Sequence, residues 1–258
     1  MTVPPPANAP DAAALADELA RCRVVAADRL AELVADFPGG SGSALVEFLL
    51  ARGALTPFQA ARVRAGAAAE LVLGPYRLTG AAGRGTFGPL FAAAHAARPE
   101  PVVVRVTPLR SLWQARQAKQ FARALAAGAP HPAVAPLLDV DSANGRHYLV
   151  WPHADAVRLS ERVEAGGPLP PGDAVALLGH AAGALAACHA RGVVHGALTP
   201  DCVAVAPDGL PRVLELGAGA LLAQHLEADE GMLDSLSAAF AAAGVLAFAA
   251  PEAAESPL

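Results

Sequence analysis

A run of glycines sets the tightest limit on this chain. Residues 83–88 read Gly83-Arg84-Gly85-Thr86-Phe87-Gly88, after a stretch, Leu73-Gly74-Pro75-Tyr76-Arg77-Leu78, with the texture of a β-strand. Glycines at this spacing let a backbone turn tightly and present its amides, as a phosphate cradle requires. The bland alternative is a glycine turn in a hairpin. A dinucleotide-binding unit would need a helix straight after the glycines and an acid ending the second strand about 20 residues on. The Ala-rich run after Pro89 would serve locally as that helix. The next strand, Val102–Val106, carries Arg105 and leads into Thr107, and no Asp or Glu occurs from Pro101 to Leu138.

A stretch further along decides between the remaining readings. Val193–Val203, VVHGALTPDCV, resembles the catalytic loop of protein kinases, V-H-R-D-L-K-P-D-N-I: His195, Leu198, Pro200, Asp201 and Val203 stand where that family has them. Other landmarks fall in the same order. The glycine run has Phe87 at its aromatic place, and Val102-Val103-Val104-Arg105 is similar to V-A-I-K. His131-Pro132 resembles H-P-N-I. His147–Trp151 resembles the strand entering the hinge, with Trp151 at the gatekeeper place and Pro152 next. Glu215-Leu216-Gly217 stands for the metal-binding Asp-Phe-Gly, and Gly244–Glu252 resembles G-T-x-x-Y-M-A-P-E. The resemblance covers about residues 73–252. It implies a two-lobed, α+β protein-kinase-like fold, with an antiparallel-sheet N-lobe over 73–151. A mainly helical C-lobe over 152–258 is expected to end just after the A-P-E-like motif.

Within that C-lobe, Asp173–Arg191 is the clearest helix, with Val175, Leu178, Ala182, Leu185 and His189 at helical spacing and Gly192 ending it. His180 and His189 read as a surface and a core histidine, not as a metal pair. Val203–Val205 and Arg212–Leu214 read as a hairpin around Pro207-Asp208-Gly209.

The same alignment shows what is missing. Phosphoryl transfer asks a protein for positioning and charge neutralisation. Gly196, Ala197, Thr199 and Cys202 replace the family's Arg, catalytic Asp, Lys and metal-holding Asn. Ala197 accepts no proton, and Cys202 is a poor ligand for hard Mg²⁺. The other asparagines, Asn8 and Asn144, lie far away in sequence. Arg105 takes the place of the strand lysine, and a planar fork is no substitute for a point-like ammonium. Ser111–Gly128 reads as the helix that normally carries lysine's glutamate; that glutamate would fall near Phe121 or Ala122, and the segment has no acid. Glu215 keeps a weak metal-ligating acid, one methylene longer. Losing a positioned general base costs about 10²–10⁴-fold by itself. The chain therefore reads as a pseudokinase of the bacterial serine/threonine type, with no catalytic residues intact, serving as a binding, scaffolding or regulatory module.

Two alternatives stay open. One is an atypical active serine/threonine kinase in which Arg84 replaces the missing strand charge. The other is a non-catalytic ATP sensor. Gly83, Gly85, Phe87, Gly88, Leu90, Val103, Arg105, Trp151 and Ala154 are the expected nucleotide pocket; Val103 and Trp151 narrow it, and Trp151 reads first as core. No cofactor is required by the leading reading; ATP is the ligand the pocket would take, with magnesium poorly held.

Residues 1–10 are Pro-rich and read as a disordered start. Residues 11–70 read as a helical module. Asp11 is expected to cap a helix with Leu15 and Leu19 inward, and Leu30, Leu33, Val34 and Phe37 continue the pattern. A third helix runs through Leu45, Phe48 and Leu49 to about Gly53. Thr56-Pro57 opens a fourth, with hydroxyl at the cap and proline at the first helical place. The Leu55–Gln59 stretch resembles the short helical module that precedes the kinase domain in some bacterial serine/threonine kinases. A net charge of −5, with Lys119 the only lysine and no basic cluster, disfavours nucleic-acid binding. Cys22, Cys188 and Cys202 fit neither a metal pattern nor a disulfide framework, and no leader or membrane span is expected, so a cytoplasmic home is simplest. Leu221, Leu222, Leu226, Phe240 and Phe248 would lie exposed without further helices, which points to a protein partner or oligomer.

Overall fold

The computed structural model describes residues 11–85, 88–108, 115–221 and 247–248. The chain divides into two compact units. The first holds residues up to 82, with 91–101 and 142–145; the second holds 83–90, 102–141 and 146 onward.

The first unit begins with four helices, α1 (Ala12–Cys22), α2 (Ala27–Ala35), α3 (Gly42–Ala51) and α4 (Pro57–Arg64). Leu15, Leu19, Leu30, Leu33, Leu45 and Leu49 are buried. Each is one of the apolar residues recurring at helical spacing, so burial of that stripe holds the helices together. Val34, expected inward, is exposed. Asp11 stands at the N-cap of α1, but its side chain caps nothing; its backbone instead bridges to Ser41. Ser41 caps α3 by accepting from the Ala44 amide at 3.3 Å. Thr56 and Gln59 form the full reciprocal cap of α4, with Pro57 at its start. Both also tie α4 to the following strand: Thr56 Oγ1 donates to the Thr79 carbonyl and Gln59 Nε2 to that of Leu78, each at 2.7 Å.

Strands β1 (Val72–Leu73), β2 (Tyr76–Gly85), β3 (Gly88–His95), β4 (Arg98–Pro108), β5 (Asp139–Ala143) and β6 (Arg146–Pro152) form one sheet in the order β1-β2-β3-β4-β6-β5. The Ala-rich run after Pro89 is therefore strand, which removes the dinucleotide reading. Antiparallel pairing of β4 with β6 sets Val103 opposite Trp151 and Arg105 opposite Leu149.

In the second unit, α5 (Ala115–Ala127) follows β4, and β7 (Val157–Arg158), α6 (Leu159–Gly166) and α7 (Pro171–His189) follow β6. Then β8 (Val203–Val205) and β9 (Pro211–Val213) complete a second sheet, β7-β8-β9. Asp208 closes the expected β8–β9 turn by accepting from the Leu210 amide at 2.9 Å. One core gathers Phe121, Leu137, Leu149, Trp151, Ala184, Cys188, Val193, Ala197 and Leu216.

The inward face of α7 differs from the expected one. Leu177, Ala181, Ala184 and Cys188 are buried, while Val175 is 73% and Leu178 54% exposed. The helix is apolar almost all round, so two residue sets one position apart fit a helical stripe equally well. Packing selects the set rich in alanine, whose small side chains let the helix lie close. His180 is exposed, as expected, and His189 is exposed rather than core.

Candidate functional site

The site grows from two chain segments that meet at a buried carboxylate. Glu215 follows β9 with φ at +60°, an uncommon backbone region for a residue with a side chain. That conformation turns the carboxyl group inward, where it is only 2% exposed. Arg105 Nη2, wholly buried on β4, donates to Glu215 Oε2. Arg158 Nη1, on β7, donates to Glu215 Oε1 at 3.0 Å and also to the Asp201 carbonyl. One carboxylate thus lies between two guanidiniums, each aimed at a different oxygen. Charge-assisted bonds of this kind are the strong class of hydrogen bond.

Gly85 lies directly over this cluster. A Cβ built there would stand 2.3 Å from Arg105 Nη2 and 2.4 Å from Glu215 Oε1, far inside van der Waals contact. Gly85 is itself buried at the end of β2. So Gly85 lies over Glu215, one of the residues expected on the floor, and is seated on the protein's own ion cluster. Gly83 has φ +90° and is exposed, and Gly88 opens β3. Phe87 lies outside the described residues, and so does the side chain of Arg84.

The rest of the floor is apolar or weakly polar. Ala197 is buried; its amide donates to His195 Nδ1 at 3.4 Å, and its carbonyl accepts from Cys202 Sγ at 3.5 Å. Thr199 Oγ1 donates to the same sulfur at 3.7 Å. His195 Nε2 donates to the Leu214 carbonyl at 2.8 Å, which ties this loop to the residue before Glu215. Burial pushes the His195 imidazole down, but the hydrogen bond and charge of Cys202, the Leu214 carbonyl and the Glu215 charge outweigh it and raise its pKa. Asp201, one of the loop residues that match the catalytic-loop pattern, is engaged by Ser160 through its carboxylate and by Arg158 through its carbonyl.

The remaining expected pocket residues scatter by role. Leu90 is fully buried, Val103 and Ala154 are half-buried, and Trp151 belongs to the core, its Nε1 donating to the Leu216 carbonyl at 3.0 Å. Trp151 therefore pins the segment next to Glu215. On α5, Phe121 is a buried core side chain, and the helix carries no acid for Arg105. Among the described residues, no three His, Cys, Asp or Glu side chains gather as a metal site.

Arg158 was missed by sequence reasoning, since it belongs to no motif. The available signal was charge balance: a buried Glu215 and the nearby Asp201 call for more cation than Arg105 alone supplies.

No protein-family profile matches the chain. Individual curated proteins do. CBL-interacting protein kinase 4 of rice (Oryza sativa subsp. japonica) is 34% identical over 188 residues, covering 71% of this chain and 40% of that protein. Serine/threonine-protein kinase PknH of Mycobacterium bovis is 29% identical over 150 residues, 57% of this chain and 25% of its own length. PknD of Mycobacterium tuberculosis is 28% identical over 148 residues, 56% and 22% respectively. The chain thus spans two fifths or less of these relatives. Among solved structures, a double mutant of the Mycobacterium tuberculosis PknI kinase domain superposes with a TM-score of 0.51 at 20% identity, covering 70% of this chain and 79% of that domain. That likeness concerns the fold.

Proposed function

We propose that this chain, which belongs to the protein kinase superfamily, keeps the kinase-like fold as a binding or scaffolding module and has lost phosphoryl transfer. The carrying observation is the occupation of Glu215. Its two oxygens face Arg105 and Arg158, and Gly85 closes over them with no room for even a methyl group. A divalent ion holding nucleotide phosphates would need that carboxylate and that space. Magnesium does not fit these residues as they stand, and no step is derived through it.

The proton chemistry is absent for a separate reason. A general base must reach the proton it abstracts. At Ala197 there is a methyl group, and the neighbouring thiol of Cys202 is engaged with the Ala197 carbonyl. His195 is engaged at both ring nitrogens, by the Leu214 carbonyl and the Ala197 amide.

A partner-binding role is supported by the outer face of α7. Val175, Leu178 and, from the β8–β9 turn, Leu210 are exposed apolar side chains on one unit. A cytoplasmic setting is consistent with Cys22, Cys188 and Cys202 all being free thiols. No described helix is long and apolar enough to cross a membrane.

The test is phosphate transfer and nucleotide binding by the purified chain. With labelled ATP and Mg²⁺ we expect no incorporation into the chain or a general protein substrate. We also expect no Mg²⁺-dependent rise in melting temperature with ATP. Incorporation that disappears in Glu215→Ala would overturn this reading in favour of an active kinase. A shift with ATP and no metal would favour an ATP sensor.

A further inference from the structure

We infer that the groove between α7 and the start of β9 docks an amphipathic helix of a partner protein, one whose apolar side chains are flanked by carboxylates. The inference rests on the reading of the chain as a binding module. It adds the surface that does the binding and the chemistry of the partner.

The groove is a cavity of about 560 Å³ within the second unit, a size that takes the side chains of a ligand. Val175 of α7 and Leu210 before β9 both line it, 73% and 45% exposed. Apolar side chains left this open along a concave surface mark a contact face. Gly179 and Gly183 lie about one helical turn apart on the α7 side. Glycine inside a helix is costly relative to alanine, and a Cβ at either position would meet nothing within 4 Å. Packing inside the chain therefore does not call for these glycines. Their effect is to lower the α7 wall, so that a second helix can lie close along it. β9 ends its sheet, which would invite an added strand. That edge is taken: the Val213 amide donates to the Ala133 carbonyl at 2.7 Å, and the Ala135 amide to the Val213 carbonyl at 2.8 Å. Side chains, not strand pairing, are left to recognise the partner.

Charge chooses among such helices. The chain carries a net charge of −5, yet no aspartate or glutamate lines this groove. Arg212 does line it. Its guanidinium makes one bond to Asp208 at 2.9 Å and one to the Pro211 carbonyl at 3.2 Å, which leaves N–H donors to spare. His131 lines it as well. The Ala133 amide donates to His131 Nδ1 at 3.1 Å, which places the ring proton on Nε2 and makes that nitrogen a donor. A guanidinium and an imidazole N–H beside apolar walls accept a carboxylate and disfavour an ammonium. Complementarity of this kind decides which partner is taken more than how tightly.

The probes are two fluorescein-labelled helical peptides with the same leucine face, one flanked by glutamates and the other by lysines. Each is titrated against the full chain and read by anisotropy. We expect the glutamate peptide to bind at least about tenfold more tightly than the lysine peptide. Gly179→Leu fills the groove from a position with open space around it. It should leave the melting temperature at or above the parent's and weaken the glutamate peptide at least about tenfold. Arg212→Glu should reverse the preference. Arg212→Met serves where the new acid disturbs the turn at Asp208, and should shrink the preference. Equal binding of the two peptides, binding of neither, or binding indifferent to Gly179→Leu would overturn the inference. Self-association of the chain alone, read by sedimentation and lost in Gly179→Leu, would overturn it in favour of a second copy. Phosphate transfer by the parent chain would sink the functional reading whatever the peptides do. An inactive chain blind to both peptides would sink only this inference.

Discussion

Replacing Gly85 by alanine tests the central geometry directly. The new Cβ would stand 2.3 Å from Arg105 Nη2, 2.4 Å from Glu215 Oε1 and 2.7 Å from Oε2. Ordinary contact is about 3.5 Å or more, so the guanidinium and carboxylate must each retreat by roughly 1 Å. Elsewhere such atoms would swing aside at little cost, being the ends of flexible side chains. Here both are buried and bound to each other. Overpacking a tight interior costs about 1–3 kcal/mol, and parting a buried ion pair about 3–5 kcal/mol. We expect Gly85→Ala to destabilise the second unit by about 2–4 kcal/mol, between those limits. Urea unfolding followed by Trp151 fluorescence in a Trp113→Phe background reads that unit, since Trp151 is hydrogen-bonded beside Glu215. With a slope of about 1–3 kcal/mol/M, the midpoint falls by roughly 1 M or more. Gly83→Ala is the control: its φ of +90° strains any side chain, but its nearest neighbour is Glu161 Oε1 at 3.8 Å. Removing Glu215 should therefore soften the Gly85→Ala penalty by at least about 1 kcal/mol and leave the Gly83→Ala penalty unchanged. A Gly85→Ala chain as stable as the parent, or a penalty indifferent to Glu215, would refute the closed cluster.

Two further outcomes are expected. Thr56→Ala removes a reciprocal helix cap and the bond to the Thr79 carbonyl, and should lower the stability of the helical first unit by about 1–2 kcal/mol, read as faster amide exchange in α4 while β6 is unaffected. Tyr148 is held up to about 12 by burial, by the charges of Asp141 and Asp139 and by a hydrogen bond to Asp141. Its contribution to stability is whole below the ordinary value near 10 and is lost as pH rises through about 12. A phenolate absorbance step near that pH should vanish in Tyr148→Phe, and a folded chain whose Tyr148 ionises near the ordinary value would contradict the assignment.

What the sequence made legible was whatever rests on local rules. The α4 start could be read from Thr56-Pro57, because capping is settled within four residues. The β8–β9 turn could be read from Pro207-Asp208-Gly209, because Asp208 folds back on its own backbone. The motif order pointed to the right fold because the described landmarks occupy successive places along it: Val102–Arg105 in β4, His147–Trp151 in β6 and Val193–Val203 in the loop leading into β8. The α7 face was illegible for the opposite reason: in an almost wholly apolar helix, hydrophobicity carries no phase, and close approach by Ala181, Ala184 and Cys188 decides it. Asp11 misled because a capping residue type says nothing about competition from a backbone bridge to Ser41. Most of the A-P-E-like segment, with Leu222, Leu226 and Phe240 before it, lies outside the described residues, as does the side chain of Leu221; Phe248 is exposed, as expected.

The ion cluster shows how two departures that look independent in sequence act as one. Arginine for lysine at residue 105 and glutamate for aspartate at residue 215 each lengthen a side chain. Lengthened, the two reach each other in this chain. Burying such a pair carries a large desolvation penalty that one partner seldom offsets. Arg158 supplies the second partner, and the Asp201 carbonyl fixes Arg158. In physical terms, the site is a polar core that joins β4, β7 and the segment after β9, and its residues are those expected of a structural tie.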